Sequence, residues 1–178
     1  MSFPILTILA LLPLVGGAIA LGVKGRSGRA TGLLISIVTA VLGVIAFIAA
    51  ANGTDVSENY HWIKAIGAWY ALSSDGLGMT LVLMTVILVP VVLLAEWNIG
   101  EKKPSDGTQT WGANVFSGLA LMTEGLAIYC FTAVDVLFFY LIFEASLVPM
   151  YFLISGWGGA RRRRAAIKFL IYSLAGGL

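Results

Sequence analysis

The 178-residue chain is 59% apolar and only 11% charged, whereas a soluble globular domain carries about 25% charged residues, so it lacks the polar side chains to cover a water-facing surface. Its net charge of +2 is small, and one cysteine (Cys130) and one histidine (His61) exclude a disulfide framework and a Cys/His metal site. The length leaves no room for a large domain outside a membrane, and the composition points to an all-α, polytopic integral membrane protein.

A hydrocarbon core about 30 Å thick needs roughly 20 apolar residues as helix, and the chain supplies several such runs. The start, Met1-Ser2-Phe3-Pro4, has no basic n-region, so the first run, residues 4–23, reads as a retained span rather than a cleaved signal. A second uncharged span covers 30–51 and a third 77–95. Between them, residues 52–76 form the longest external loop, with Tyr60, Trp62, Trp69 and Tyr70 suited to the membrane interface and Ser73-Ser74-Asp75 suited to capping the third span. The apolar stretch 113–158 would be roughly 69 Å long as one helix, too long for a bilayer. It folds back at Thr132-Ala133-Val134-Asp135, giving spans 115–133 and 136–157 with Asp135 as the cap of the second. Residues 165–178 begin a sixth span too short to cross, so the chain is expected to be a single transmembrane domain, 1–178, that forms the N-terminal portion of something longer.

Basic loops set orientation. Lys24, Arg26, Arg29, Lys102, Lys103 and Arg161 to Arg164 all fall on one side, nine of the eleven basic residues, against Lys64 on the other. That places the N-terminus outside and the basic loops inside. Beside a span, the arginine run is matched to lipid headgroups and not to nucleic acid.

Chemistry inside the spans is confined to a few side chains. An ionisable group at the bilayer centre costs about 2.5–3.5 kcal/mol on insertion scales, yet Glu144 sits eight residues into the fifth span and Glu124 near the middle of the fourth. A carboxyl whose proton can be held or released there is what a proton relay needs. The alternative is a neutral acid hydrogen-bonded to a neighbouring helix as packing glue. Pro149, five residues after Glu144, weakens the helix beside it. Lys168, in the first turn of the sixth span, either snorkels to the interface or faces an interior polar path. No phosphate-binding glycine loop, haem-ligating histidine pair or cysteine cluster is present, so redox chemistry would have to take place on another chain.

The stretch Asp135-Val-Leu-Phe-Phe-Tyr-Leu-Ile-Phe-Glu144-Ala-Ser-Leu-Val-Pro149-Met150-Tyr151 resembles the M-type subunits of NADH:quinone oxidoreductase, respiratory complex I, whose mitochondrial counterpart is subunit 4. Asp75-Gly76 entering the third helix, Glu124-Gly125 in the fourth and Lys168-Phe169 opening the sixth support it. The Pro-Met-Tyr that follows the Glu favours the M type over its L and N paralogues, while Phe143 stands where Trp commonly precedes this Glu. The resemblance implies a fourteen-helix antiporter-like bundle, of which this chain holds the first five helices and the start of a sixth. It also implies that Glu144 pairs with a Lys on helix seven, beyond Leu178, to modulate proton transfer along a hydrated axis.

The expected function is therefore a proton-translocating membrane-arm subunit, with Glu144 in the proton-transfer ion pair and Glu124 and Lys168 as weaker members of the polar path. Its partners would be other membrane-arm subunits, including the L and N paralogues. This chain would hold no cofactor, with FMN, iron–sulfur clusters and quinone served by other subunits. The alternatives are a subunit of a multisubunit cation/proton antiporter or membrane-bound hydrogenase, and a structural membrane scaffold without a proton path of its own.

Overall fold

Among the described residues the chain forms six helices and one β-hairpin. The structure, a computed structural model, describes residues 4–23, 25–64, 67–97 and 111–177. Lys24, Lys102 and Lys103 of the basic loops lie outside the described residues. The elements are α1 (Ile5–Gly22), α2 (Arg26–Ala51), β1 (Glu58–Ile63), β2 (Ala68–Leu72), α3 (Gly76–Ala95), α4 (Ala113–Thr132), α5 (Val136–Trp157) and α6 (Arg162–Gly177). The first five helices are each long and apolar enough to cross a membrane, and successive helices run antiparallel. One end of the bundle, the hairpin end, carries the start of α1, both strands and the α4–α5 turn. The other end carries Arg29 and the arginine run.

α2 begins at Arg26 and α6 at Arg162, earlier than the hydropathy boundaries at 30 and 165. Hydropathy marks the length embedded in hydrocarbon, whereas a helix continues into the headgroup layer, where its first turn carries arginines at little cost. At α5 the two boundaries coincide, because Asp135 accepts a hydrogen bond from the Phe138 amide at 2.9 Å and caps the helix. Asp75 caps α3 in the same way through the Gly78 amide. Pro149 lies inside α5, which continues through it to Trp157.

Small residues set the helix spacing, as they do where lipid offers no hydrophobic drive for helix pairing. The most extensive packing is between α1 and α4. A Cβ on Gly17 would stand 2.6 Å from the Gly118 carbonyl oxygen, and one on Gly125 would stand 2.5 Å from that of Ala10. The α1–α4 seam thus closes at two points seven residues apart on each helix. Leu6, Leu9 and Ala10 of α1 join Met79, Val82 and Val86 of α3 and Ile128 of α4 in the core.

The hairpin is the one element absent from the sequence reading, which assigned its residues to an external loop. β1 and β2 pair antiparallel, with Glu58 opposite Leu72, Tyr60 opposite Tyr70 and His61 opposite Trp69. It is fastened to the α4–α5 turn by the Ser73 amide donating to the Thr132 carbonyl at 2.7 Å and the Val134 amide donating to the Ala71 carbonyl at 2.9 Å.

Candidate functional site

The two acids inside the spans lie at matching depths. Glu124 is eight residues before the end of α4, and Glu144 eight residues after the start of α5, each about 12 Å from the hairpin end at 1.5 Å per residue. Their surroundings differ. Glu124 is 1% exposed and stands on α4 next to Gly125, one of the two points at which α1 and α4 close together. Neither of its carboxylate oxygens has a hydrogen-bond partner among the described residues. Glu144 is half-buried. Its Oε1 is covered and has no hydrogen-bond partner among the described residues. It lies beside α6, where a Cβ on Gly177 would be 3.0 Å away. The glycine leaves space next to the carboxylate that any larger residue would take.

Lys168 is exposed on α6 and sits nine residues before Gly177, roughly 13 Å along the helix from the Glu144 carboxylate. The structure does not bring these two side chains together.

Sequence reasoning missed a third buried acid, Glu58, at the start of β1. It is 2% exposed but fully engaged. Its Oε1 accepts a hydrogen bond from the Thr7 amide at 3.0 Å and its Oε2 accepts one from the Thr7 hydroxyl. The Thr7 hydroxyl in turn accepts from the Tyr70 hydroxyl, which is hydrogen-bonded to the Tyr129 hydroxyl at 3.3 Å. Thr7 is the third residue of α1, whose N-cap, Pro4, offers no side-chain acceptor. Glu58 therefore supplies from the hairpin the acceptor that an N-terminal Ser or Asp usually provides, and a carboxylate suits the positive end of the helix dipole. Burial pushes the Tyr70 hydroxyl above the usual phenol range, keeping it a neutral donor.

Asp135 has two tasks. Besides capping α5 it accepts from the Trp69 amide of β2 at 3.2 Å. The amides of Phe138 and Trp69 hold its carboxyl below the usual carboxylate range. These contacts make it a structural joint between hairpin and helix. Among the described residues, no three His, Cys, Asp or Glu side chains gather to hold a metal ion.

A bundle closed by small residues, with two acids at one depth inside it, has counterparts of known identity. Residues 133–178 match the family described as NADH:quinone oxidoreductase/Mrp antiporter, TM. NADH-quinone oxidoreductase subunit M of Mycobacterium tuberculosis is 36% identical over an alignment covering 99% of this chain and 37% of that protein. NAD(P)H-quinone oxidoreductase chain 4 1 of Synechococcus elongatus is 35% identical, over 97% of this chain and 32% of its own length. F(420)H(2) dehydrogenase subunit M of Methanosarcina mazei is 32% identical, over 96% and 33%. In structure, the chain superposes on one subunit of respiratory complex I from Thermus thermophilus with bound NADH. The TM-score is 0.80 at 30% identity, with 97% of this chain and 33% of that one covered. The chain spans about a third of the length of the relatives it matches.

Proposed function

We propose, from a chain that belongs in sequence and fold with the antiporter-like M-type subunits of NADH:quinone oxidoreductase, that the full protein translocates protons in the membrane arm of a respiratory complex. The observation that carries this is Glu144, a carboxylic acid near mid-membrane, half-buried, with a covered oxygen that no described side chain engages. An acid placed in this way can pair with a cation carried by a neighbouring helix. A lysine carried by a later helix would complete the pair. Glu124, at the same depth, and Lys168, nearer the arginine end, are weaker members of the polar path.

The named relatives differ in electron donor (NADH, NAD(P)H and F420H2) while sharing this subunit type. That pattern supports a division of labour in which the donor chemistry belongs to other chains. In this reading FMN, iron–sulfur clusters and the quinone site lie on those chains, L- and N-type subunits flank this one, and this chain carries no redox centre. The protein sits in a bacterial plasma membrane with its N-terminus outside and its arginine end in the cytoplasm.

The test is isolation of the tagged full-length chain in mild detergent, followed by assay. NADH:quinone activity with flavin and iron–sulfur signals in the same particle is the expected result. Arrival with other membrane subunits, without redox centres and with sodium-dependent transport, would establish the second reading. That reading, a multisubunit cation/proton antiporter, is supported by a matching family whose description joins both classes.

A further inference from the structure

Ser36 and Thr39 of α2 and Ser117 and Glu124 of α4 are polar side chains buried in the bundle, and they line one seam. A Cβ on Gly32 of α2 would stand 2.8 Å from the Ser117 Cβ and 3.9 Å from the Leu121 side chain, which fixes the register of the two helices. Both start at the arginine end and so run parallel. Ser117, Leu121 and Glu124 share one face of α4 at i, i+4 and i+7, and Gly32, Ser36 and Thr39 share one face of α2 at the same spacing. Seven residues, roughly 10 Å, separate Ser117 from Glu124 and Gly32 from Thr39, so Thr39 stands level with Glu124. Each hydroxyl spends its proton on its own helix: Ser36 donates to the Leu33 carbonyl at 2.9 Å, Thr39 to that of Ile35 at 2.9 Å and Ser117 to that of Ala113 at 3.0 Å. The seam therefore presents acceptor lone pairs, and it leads to a carboxyl with no partner among the described residues. Leu121, fully buried, is the apolar side chain that stands between Ser117 and Glu124 on this face.

We propose that the α2–α4 seam is a gated proton-access path from the arginine end to Glu124, closed by Leu121 at rest and filled by a file of waters during turnover. It rests on the proton-translocating reading of the full protein. The spacing suits water: the steps from Gly32 to Ser36 and from Ser36 to Thr39 are roughly 6 and 4.5 Å along the helix, and one water making two hydrogen bonds of about 2.8 Å spans such a step. Parting the seam is cheap, because its α2 wall of glycine and short hydroxyl residues uncovers little apolar surface. The α1–α4 seam, by contrast, is locked by the backbone contacts at Gly17 and Gly125. Closed, the seam leaves a buried carboxyl without a partner among the described residues; opened, it supplies water to that carboxyl. The two states thus lie close in free energy, which is what a bistable gate needs. Protons cross by hopping. Each oxygen in the file gains one O–H bond and gives up another, so a proton taken up at the arginine end arrives on a Glu124 oxygen and the waters are left unchanged.

The experiment uses the full-length chain in its purified complex. Millisecond X-ray radiolysis turns internal waters into hydroxyl radicals that oxidise the side chains they touch, and peptide mass spectrometry reads the label. Leu121 should be labelled about tenfold more under NADH:quinone turnover than at rest, the change from a minor state populated at about 1% to one at about 10%. Leu9, also buried in the core, should not change. Ser36→Ala combined with Thr39→Val should remove the rise at Leu121, and Thr39→Ser should keep it. Thr39→Val should also lower coupled quinone reduction by the same factor as Glu124→Gln, and the two together no further, because they interrupt one path. An active complex whose Leu121 label does not rise overturns the gate. So does a rise shared by Leu9 (general loosening), a rise kept in the Ser36→Ala, Thr39→Val variant, or losses that add. A complex without NADH:quinone activity instead overturns the respiratory reading, and the gate falls with it.

Discussion

Glu124 and Glu144 share a depth, a residue type and a covered carboxylate oxygen without a partner among the described residues, yet they present different possibilities. Glu124 is enclosed among the described helices, at 1% exposure. Glu144 keeps an open side next to a glycine of α6, so a later helix can bring it a cation. In the proposed function, access for a partner rather than depth alone is what suits Glu144 to a relay. Glu58 adds the opposite control, an acid as buried as Glu124 whose oxygens are fully used in capping α1.

The contrast is sharpest in turnover. Glu144→Gln keeps shape and removes the proton, and should lower coupled quinone reduction by about a hundredfold or more, the range assigned to positioned acid–base groups, while assembly is retained. Glu124→Gln should lower it less. Equal losses in steady-state assays on membranes would erase the distinction between the two acids.

Stability should separate Glu58 from Glu124. Glu58→Ala leaves the Thr7 amide and hydroxyl without their acceptor and should destabilise the full-length protein by about 1–3 kcal/mol, seen as a lower thermal midpoint in detergent. Glu58→Gln should recover most of the loss. Glu124→Met replaces an acid unsatisfied among the described residues with a side chain of similar volume, and should leave the stability level or raise it by about 1 kcal/mol. A clear drop there would mean that the Glu124 oxygens are satisfied after all.

The smallest effect concerns the joint at Asp135. Its carboxyl titrates below the ordinary carboxylate range because the Phe138 and Trp69 amides bond to its charged form. Its contribution is therefore complete above the usual carboxylate pKa and is lost as pH falls through the depressed value. Amide exchange at Trp69 and Phe138, intrinsic rates corrected, should accelerate on acidification in the parent and be fast at all pH values in Asp135→Ala. A parent rate independent of acid pH would contradict the cap.

The spans were legible because hydrocarbon thickness imposes a length that composition cannot disguise, and Glu144 was legible because an acid is conspicuous in such a run. The caps at Asp75 and Asp135 were legible for local reasons. What escaped was long-range pairing. Glu58 and Thr7 are 51 residues apart, and nothing near either residue announces the other. The hairpin did leave a trace: two aromatic-rich runs separated by residues 64–67, with Gly67 at φ +68° in the turn. That trace was masked because the same aromatic residues also suit a membrane interface. The different surroundings of Glu124 and Glu144 were likewise hidden, since helix facing depends on the glycine contacts of α1 and α6 rather than on hydropathy.

The central claim is that the Glu144 proton moves during turnover. Infrared difference spectroscopy of the intact complex, with the carboxyl bands assigned by comparing parent and Glu144→Gln, measures that directly. A protonated-carboxyl band that changes between resting and reduced states, and that is lost in the variant, is the predicted result. Identical difference spectra in parent and variant, with normal proton pumping, would show that Glu144 is packing and that the proton path runs elsewhere.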